Sequence, residues 1–259
     1  MRDTSIQRTE GVRGGAAQPG RRPRLTVALI GADGAGKSTV SSRLTKADLP
    51  RPVKVIYMGV NLDASSLMLP TTRLLLAAKR ARGRRTDMVA SPMPDIELAR
   101  PGDGMLPPPG RSAPAGRALK EALRLGVWML EEWLRQLVAV FYSRRGFIVI
   151  FDRHFFADYY HADVRDPGVP RSPLRRFHGW MLEHGYPKPD LMIMLDAPAE
   201  RLYARKPEAT VAWLEQRRRQ YLQLADIVPH FVVLNADRPL DVVVAEAAAL
   251  IRATWEVQT

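Results

Sequence analysis

The sequence predicts an α/β protein in which a five-stranded parallel sheet lies between two layers of helices. Five short runs are apolar throughout, at residues 25–30, 53–58, 147–151, 190–195 and 231–234. Segments with helical spacing of apolar residues separate them, and strands that are apolar on both faces are typical of a parallel sheet covered on both sides. A glycine-rich motif between the first strand and the first helix also favours this three-layer α/β/α sandwich.

Eight helices are predicted between and after the strands. Pro50 is the stop signal for the first of them, and the longest has apolar residues that recur at helical spacing, from Leu119 to Phe141. The predicted helices cover residues 36–48, 67–82, 117–145, 155–162, 174–183, 199–206, 210–227 and 240–255.

The glycine-rich motif matches the P-loop pattern G-x-x-x-x-G-K-[ST] without a mismatch. Gly34 and Gly36 allow backbone conformations that a Cβ would forbid, so that the loop's N–H groups can surround an anion. We expect Lys37 to face solvent without a ligand and to reach the β- and γ-phosphates of ATP, while Ser38 offers a hydroxyl to Mg²⁺. The residues expected to bind the nucleotide here are Gly31, Asp33, Gly34, Ala35, Gly36, Lys37, Ser38 and Thr39.

Further charged residues follow the third and fourth strands. Asp152 and Arg153 end the third strand, where the carboxyl ends of parallel strands line a ligand crevice. A carboxylate there can hold Mg²⁺ through water, and an arginine can clamp phosphates. Arg205 and Arg218 lie on later helices and are candidates to close over transferring phosphates.

Composition limits the other classes of function. Ten of the twelve net positive charges lie in residues 1–24 and 73–85, so the rest is nearly neutral and a nucleic-acid surface is not favoured. The chain has no cysteine, and its five histidines show no metal-ligand spacing. No apolar run approaches the roughly 20 residues of a membrane span, and no signal peptide is recognisable, so we expect a soluble, cytoplasmic protein without a membrane partner.

The domain organisation follows from two segments of low-complexity composition. Residues 1–24 are rich in Gly, Arg, Pro and Gln and are predicted to be a disordered basic tail. Residues 86–116 contain seven prolines and four glycines, which predicts a loop or a disordered insert. The P-loop domain is therefore expected to cover residues 25–259, interrupted by this insert.

Several motifs together resemble the thymidylate kinase-like branch of the nucleoside monophosphate kinases. They occur in the family's order and lie at residues 31–39, 151–153, 195–206, 218–222 and 235–240. The resemblance implies that Asp33 is a carboxylate near the acceptor sugar and that Arg153 bridges the donor and acceptor phosphates. It also implies that Arg205 lies beside the adenine, and that the adenine is bordered by the loop Asn235, Ala236 and Asp237.

Two segments depart from the thymidylate kinase pattern, and both belong to the acceptor side. The family's Arg-Glu-Pro-Gly-Gly after the second strand is replaced by Tyr-Met-Gly-Val-Asn at 57–61. The serine-containing stretch that usually follows Asp-Arg is replaced by residues 154–161. Use of ATP is therefore better supported than use of thymidylate.

The sequence thus predicts a Mg²⁺·ATP-dependent phosphotransferase whose acceptor is a nucleoside monophosphate. A phosphate acceptor is already anionic at neutral pH, which fits the absence of an obvious general base. One alternative is a kinase for a hydroxyl of a sugar or another small molecule, with Asp33 or Asp158 as base. The other is a slow, nucleotide-dependent regulatory or binding protein. The sequence also allows a homodimer.

Overall fold

In the computed structural model, five parallel strands form one sheet in the order β2-β3-β1-β4-β5. The structure describes residues 24–59, 67–81, 115–165, 171 and 173–259. The strands are β1 (Thr26–Ile30), β2 (Val53–Tyr57), β3 (Ile148–Asp152), β4 (Leu191–Asp196) and β5 (Phe231–Asn235). The predicted fold class and all five predicted strands are confirmed.

Eight α-helices connect and flank these strands within the described ranges: α1 (Lys37–Leu44), α2 (Pro70–Ala81), α3 (Ala115–Arg144), α4 (Phe155–Tyr160), α5 (Pro173–Trp180), α6 (Ala199–Arg205), α7 (Val211–Leu222) and α8 (Leu240–Gln258). Short π-helical turns, His161–Arg165 and Met181–Gly185, continue α4 and α5. The first helix ends earlier than predicted, because the backbone N–H groups of Lys46 and Ala47 bond three residues back and tighten the chain into turns.

The two faces of the sheet bury separate apolar clusters. Along β1, Val27 and Leu29 point to the face covered by α1 and α8, whereas Ala28 and Ile30 point to the face covered by α3 and α4. This alternation along a strand that is buried on both sides produces the three layers. β1 is central, with β3 on one side and β4 on the other. The crevice at the carboxyl end of β1 therefore lies where the strand order reverses.

The buried face of helix α3 carries polar residues beside the apolar core residues Met129 and Ala139. Four polar residues of one stretch are buried: Glu131, Glu132, Arg135 and Gln136. Among the predicted apolar positions, Leu123, Leu130 and Leu137 are each about 60% exposed and Phe141 is 48% exposed, while Val127 and Leu134 are half-buried. The prediction of a helix is confirmed, but its apolar stripe is not the side that packs on the sheet.

Some predicted segments lie outside the described part of the chain. These are residues 1–23 of the tail, residues 60 and 61 of the acceptor-side segment, and most of the insert. The last two residues predicted for the insert, Ala115 and Gly116, begin α3. Among the helices that are described, none combines the length and hydropathy needed to cross a bilayer.

Candidate functional site

The loop between β1 and α1 has the backbone that the motif predicts. Gly31, Gly34 and Gly36 have φ angles of 142°, 85° and 86°, which side chains with a Cβ rarely adopt. A Cβ on Gly31 would lie 2.4 Å from the carbonyl oxygen of Leu195, and one on Gly34 would lie 2.5 Å from that of Leu202. The loop is therefore pressed against the end of β4 and against α6, and glycine is required for both conformation and space.

Lys37 does not face solvent, so that expectation is wrong. The side chain is buried, and its Nζ donates hydrogen bonds to the carbonyl oxygens of Gly31 (2.7 Å) and Ala32 (2.8 Å). The carbonyl groups of Gly31 and Ala32 point toward the Lys37 ammonium, so the loop covers it. Burial, and secondly the charge of Arg153, lowers the pKa of Lys37 to about 7.

Asp33 and Arg153 form an ion pair beside this lysine. Arg153 Nη2 lies 2.6 Å from Asp33 Oδ1, and Lys37 Nζ lies 4.0 Å from the same oxygen. Burial alone would raise the pKa of Asp33, but the two cations outweigh it and hold the pKa below its ordinary value. Asp33 is therefore a carboxylate that holds two cations at the mouth of the loop.

Arg153 is also unusual in its backbone. Its φ angle is 68°, and outside glycine no other described residue has a positive φ. Its N–H donates to the carbonyl oxygen of Leu29 (3.0 Å), which ties the turn after β3 to β1. Such a conformation is costly for a residue with a side chain and is found preferentially at functional sites.

Two residues at the site could hold Mg²⁺. Asp152, the last residue of β3, is buried, and its Oδ1 has no hydrogen-bond partner in the described part of the chain. Ser38 is exposed in the first turn of α1. The described residues contain no group of three or more acidic or histidine side chains that would form a metal cage. This arrangement fits Mg²⁺, which usually takes one or two protein ligands and completes its shell with water and phosphate oxygens.

Asp158 is a buried residue of α4. It has two hydrogen-bond partners that the sequence did not single out. Its Oδ1 accepts hydrogen bonds from Tyr221 Oη (2.7 Å) and Arg217 Nη2 (3.2 Å). The charge of Asp158 partly offsets the lowering of the Lys37 pKa by burial. It also contributes to the raised pKa of Arg153. Arg217 is one of three successive arginines, so the sequence alone did not distinguish the one that points inward.

The predicted adenine-side residues come together on α6 and the turn after β5. Arg205 Nη1 donates to the carbonyl oxygen of Ala236 (2.9 Å), and its Nη2 lies 3.3 Å from Asp237 Oδ1. The side chain of Asn235 accepts from the N–H of Asp237 (2.9 Å) and shapes the turn. The structure thus brings these four residues together, as the resemblance implies.

Arg218 is held elsewhere. Its Nε and Nη2 grip both oxygens of Asp196, at 2.7 and 2.8 Å, and its Nη1 contacts Glu215. This bidentate pair anchors α7 to the end of β4. Arg218 is therefore not part of the ion-pair network of Lys37, Asp33 and Arg153.

The aromatic residues that follow Arg153 belong to the core. Phe155, Phe156 and Tyr159 are each about 1% exposed and pack with α3 against the sheet. The side chain of His154 accepts from the N–H of Phe156 and caps α4, and burial lowers its pKa to about 3. These residues support the turn at Arg153.

Comparison with known proteins adds no family to these observations. No protein-family model matches the chain, and no curated protein is significantly similar to it.

Proposed function

We propose that the protein is a Mg²⁺·ATP-dependent phosphotransferase of the thymidylate kinase-like type. The observation that carries this proposal is the loop between β1 and α1. Its glycines adopt left-handed or extended positive-φ conformations, and a Cβ at two of them would collide with backbone carbonyls. A loop of this shape at a helix N-terminus suits the phosphates of a nucleotide.

The charges around the loop support phosphoryl transfer. Phosphoryl transfer requires mainly that charge on the moving group be stabilised by positioned cations. Lys37 and Arg153 lie on either side of Asp33, which holds both within 4.0 Å of one carboxylate oxygen. Incoming phosphate oxygens can replace that carboxylate and the loop carbonyls as partners of the two cations.

Ser38 and Asp152 are the residues that would hold Mg²⁺. The buried Oδ1 of Asp152, which has no partner among the described residues, provides an acceptor for a water of the metal shell. When bound, the metal would neutralise charge on the β- and γ-phosphates. Such a reaction requires ATP, so we place the protein in the cytoplasm.

The acceptor in this proposal is a nucleoside monophosphate. Asp33 is engaged by Arg153, and its lowered pKa makes it a weak base. A phosphate acceptor does not need a base, because its oxygen is already anionic. The departures at residues 57–61 and 154–161 favour an acceptor other than thymidylate.

A hydroxyl kinase is the second candidate, and Asp158 is the observation in its favour. Asp158 Oδ2 is buried and has no hydrogen-bond partner within the described residues. A carboxylate with one free oxygen near the phosphate site could accept the proton of an attacking hydroxyl.

An ADP-release assay tests these proposals directly. The purified protein is given Mg²⁺·ATP with each of five nucleoside 5′-monophosphates, their nucleosides, and a set of sugars. Acceptor-dependent ADP formation by a monophosphate, and loss of that activity in Lys37→Met, is the expected result. Release driven by a sugar or nucleoside would instead select the hydroxyl kinase. Tight ATP binding without any acceptor-dependent release would select the slow regulatory protein.

We also propose that two copies associate through α3. Six apolar residues of α3, four exposed and two half-buried, alternate in steps of four and three, which is the spacing of a coiled-coil seam: Leu123, Val127, Leu130, Leu134, Leu137 and Phe141. Light scattering on a sizing column should give a dimer for the wild type and a monomer for Leu130→Glu/Leu137→Glu. Leu222→Glu, at an exposed leucine of α7, is the control. A wild-type monomer at high micromolar concentration would refute the dimer.

A further inference from the structure

The buried face of α3 carries an arginine whose donors are mostly unused. Arg135 is 1% exposed, and its Nη1 donates to the carbonyl oxygen of Gly59 at 2.9 Å. Its Nε and Nη2 have no hydrogen-bond partner among the described residues. Burying a guanidinium is costly unless other partners replace its lost hydration, and two of its nitrogens have no such partner among the described residues.

The two empty donors form one edge of the guanidinium. Nε–H and Nη2–H point in the same direction, and this side-on edge is suited to two oxygens of a carboxylate or phosphate. Arg218 uses the same pair of nitrogens to grip Asp196. The ring of Trp128 lies 5.9 Å from the guanidinium carbon of Arg135 and covers its face. The edge of Arg135 that is buried without a partner among the described residues is therefore the one whose geometry suits an oxyanion.

Each neighbouring carboxylate has one oxygen engaged with another group, while Glu131 Oε2 and Glu132 Oε1 have no hydrogen-bond partner among the described residues. Glu131 Oε1 accepts from the N–H of Leu69 (2.9 Å). Glu132 Oε2 accepts from Tyr186 Oη (2.9 Å) and lies 3.1 Å from His178 Nε2. Both glutamates favour the charged form of Arg135 at longer range, but neither forms an ion pair with it within the described structure.

Gly59 connects Arg135 to the phosphate loop. Its carbonyl oxygen is the acceptor for Arg135, while a Cβ on the same residue would lie 2.4 Å from Arg153 Cδ and 2.5 Å from Tyr57 Oη. Gly59 therefore contacts Arg135 through its carbonyl oxygen and lies close to the side chain of Arg153. Arg153 pairs with Asp33 of the loop, so a short chain of contacts leads from Arg135 to the site of transfer.

We propose that the Nε/Nη2 edge of Arg135 binds the phosphate group of the acceptor. The inference rests on the proposed phosphotransferase function and adds to it the residue that selects a phosphate-bearing acceptor. Arg135 holds that phosphate from the α3 side while Arg153 faces it from the loop side. The acceptor is thereby a phosphate monoester rather than a neutral sugar or nucleoside.

The test compares ligands that differ only in the phosphate. Thymidine 5′-monophosphate and thymidine, the other four nucleoside monophosphates with their nucleosides, and inorganic phosphate are titrated into the protein by calorimetry. The variants are Arg135→Gln, which keeps a polar side chain without charge, and Arg135→Lys, which keeps the charge but loses the two-donor edge. Arg144→Gln, at an exposed arginine of the same helix, is the matched control. Mg²⁺·ATP affinity and thermal unfolding are measured for each protein.

Arg135→Gln should weaken monophosphate and inorganic phosphate binding by about 10- to 100-fold, as expected for a lost charged hydrogen bond. Nucleoside and Mg²⁺·ATP affinity should stay at the wild-type value, Arg135→Lys should lie between, and Arg144→Gln should match the wild type. Equal losses for monophosphate and nucleoside, or unchanged monophosphate affinity, would overturn the inference, as would a wild type that binds no monophosphate and no inorganic phosphate. The proposed function is tested separately, by measuring acceptor-dependent ADP release by the wild-type protein.

Discussion

Replacing Lys37 by methionine should separate catalysis from folding. The substitution removes the ammonium and nearly preserves the buried volume. Acceptor-dependent ADP release should fall on the order of 100-fold or more, because charge on the transferring group loses a positioned cation. Lys46→Met, at an exposed lysine after α1, should retain wild-type turnover and serves as control.

The same substitution has a signature in folding stability. Burial lowers the pKa of Lys37 from 10.5 to about 7 in the folded protein. Between those two values the unfolded chain binds more protons than the folded one, so this lysine makes the wild type more stable as pH rises from 7 toward 10.5. The full effect of one proton is about 1.4 kcal/mol per pH unit. Between pH 7 and 9 the stability of the wild type should therefore gain roughly 1–3 kcal/mol on that of Lys37→Met.

Urea unfolding at pH 6, 7, 8 and 9 measures this difference for the wild type, Lys37→Met and Lys46→Met. Below about pH 6, roughly one unit under the folded pKa, the difference should be constant, since Lys37 is then charged in both the folded and the unfolded states. Parallel stability curves for the wild type and Lys37→Met from pH 7 to 9 would refute the reasoning. They would mean that the ammonium is solvated and that its contacts with the loop carbonyls do not bury it.

Three further outcomes are expected. Urea unfolding should show that Gly36→Ala costs roughly 1–2 kcal/mol of folding stability, because a residue with a Cβ is strained at this positive φ. Gly34→Ala should cost roughly 1–3 kcal/mol more. Its Cβ would also meet a backbone carbonyl, whereas a Cβ on Gly36 meets nothing. Equal losses would contradict this. Hydrogen bonds to Asp163 and Glu132 outweigh burial and raise the pKa of His178 to about 9. The stability advantage of the wild type over His178→Gln should therefore be complete below pH 6.5 and disappear as pH rises through 9, and an advantage that persists at pH 10 would refute the charged pair. Finally, kcat/KM for thymidylate with saturating Mg²⁺·ATP should stay below about 10⁵ M⁻¹s⁻¹; a higher value would make thymidylate an ordinary substrate.

The sheet and the phosphate loop could be predicted because local sequence determines them. The three inner strands, β3, β1 and β4, are buried almost throughout and are therefore apolar, and the two edge strands were recognisable as short, largely apolar runs. Gly31, Gly34 and Gly36 have backbone conformations that favour glycine. The positions of these glycines in the motif therefore predict the shape of the loop. Asp152 and Arg153 were located because the carboxyl end of a parallel strand is a defined place in this fold.

The arrangement of charged side chains around the candidate site depended on tertiary structure. Periodicity identifies a helix and its two faces, but it does not say which face meets the sheet; in α3 the buried face is the one with Arg135, and most of the apolar stripe is exposed. Among three successive arginines, only packing of α7 decided that Arg217 reaches Asp158 while Arg218 holds Asp196. The sequence thus determined the fold class, through its apolar runs, and the glycine-rich loop, through backbone conformations that only glycine readily adopts. The tertiary structure decided which charged side chains are buried together, because that depends on contacts between segments far apart in the chain.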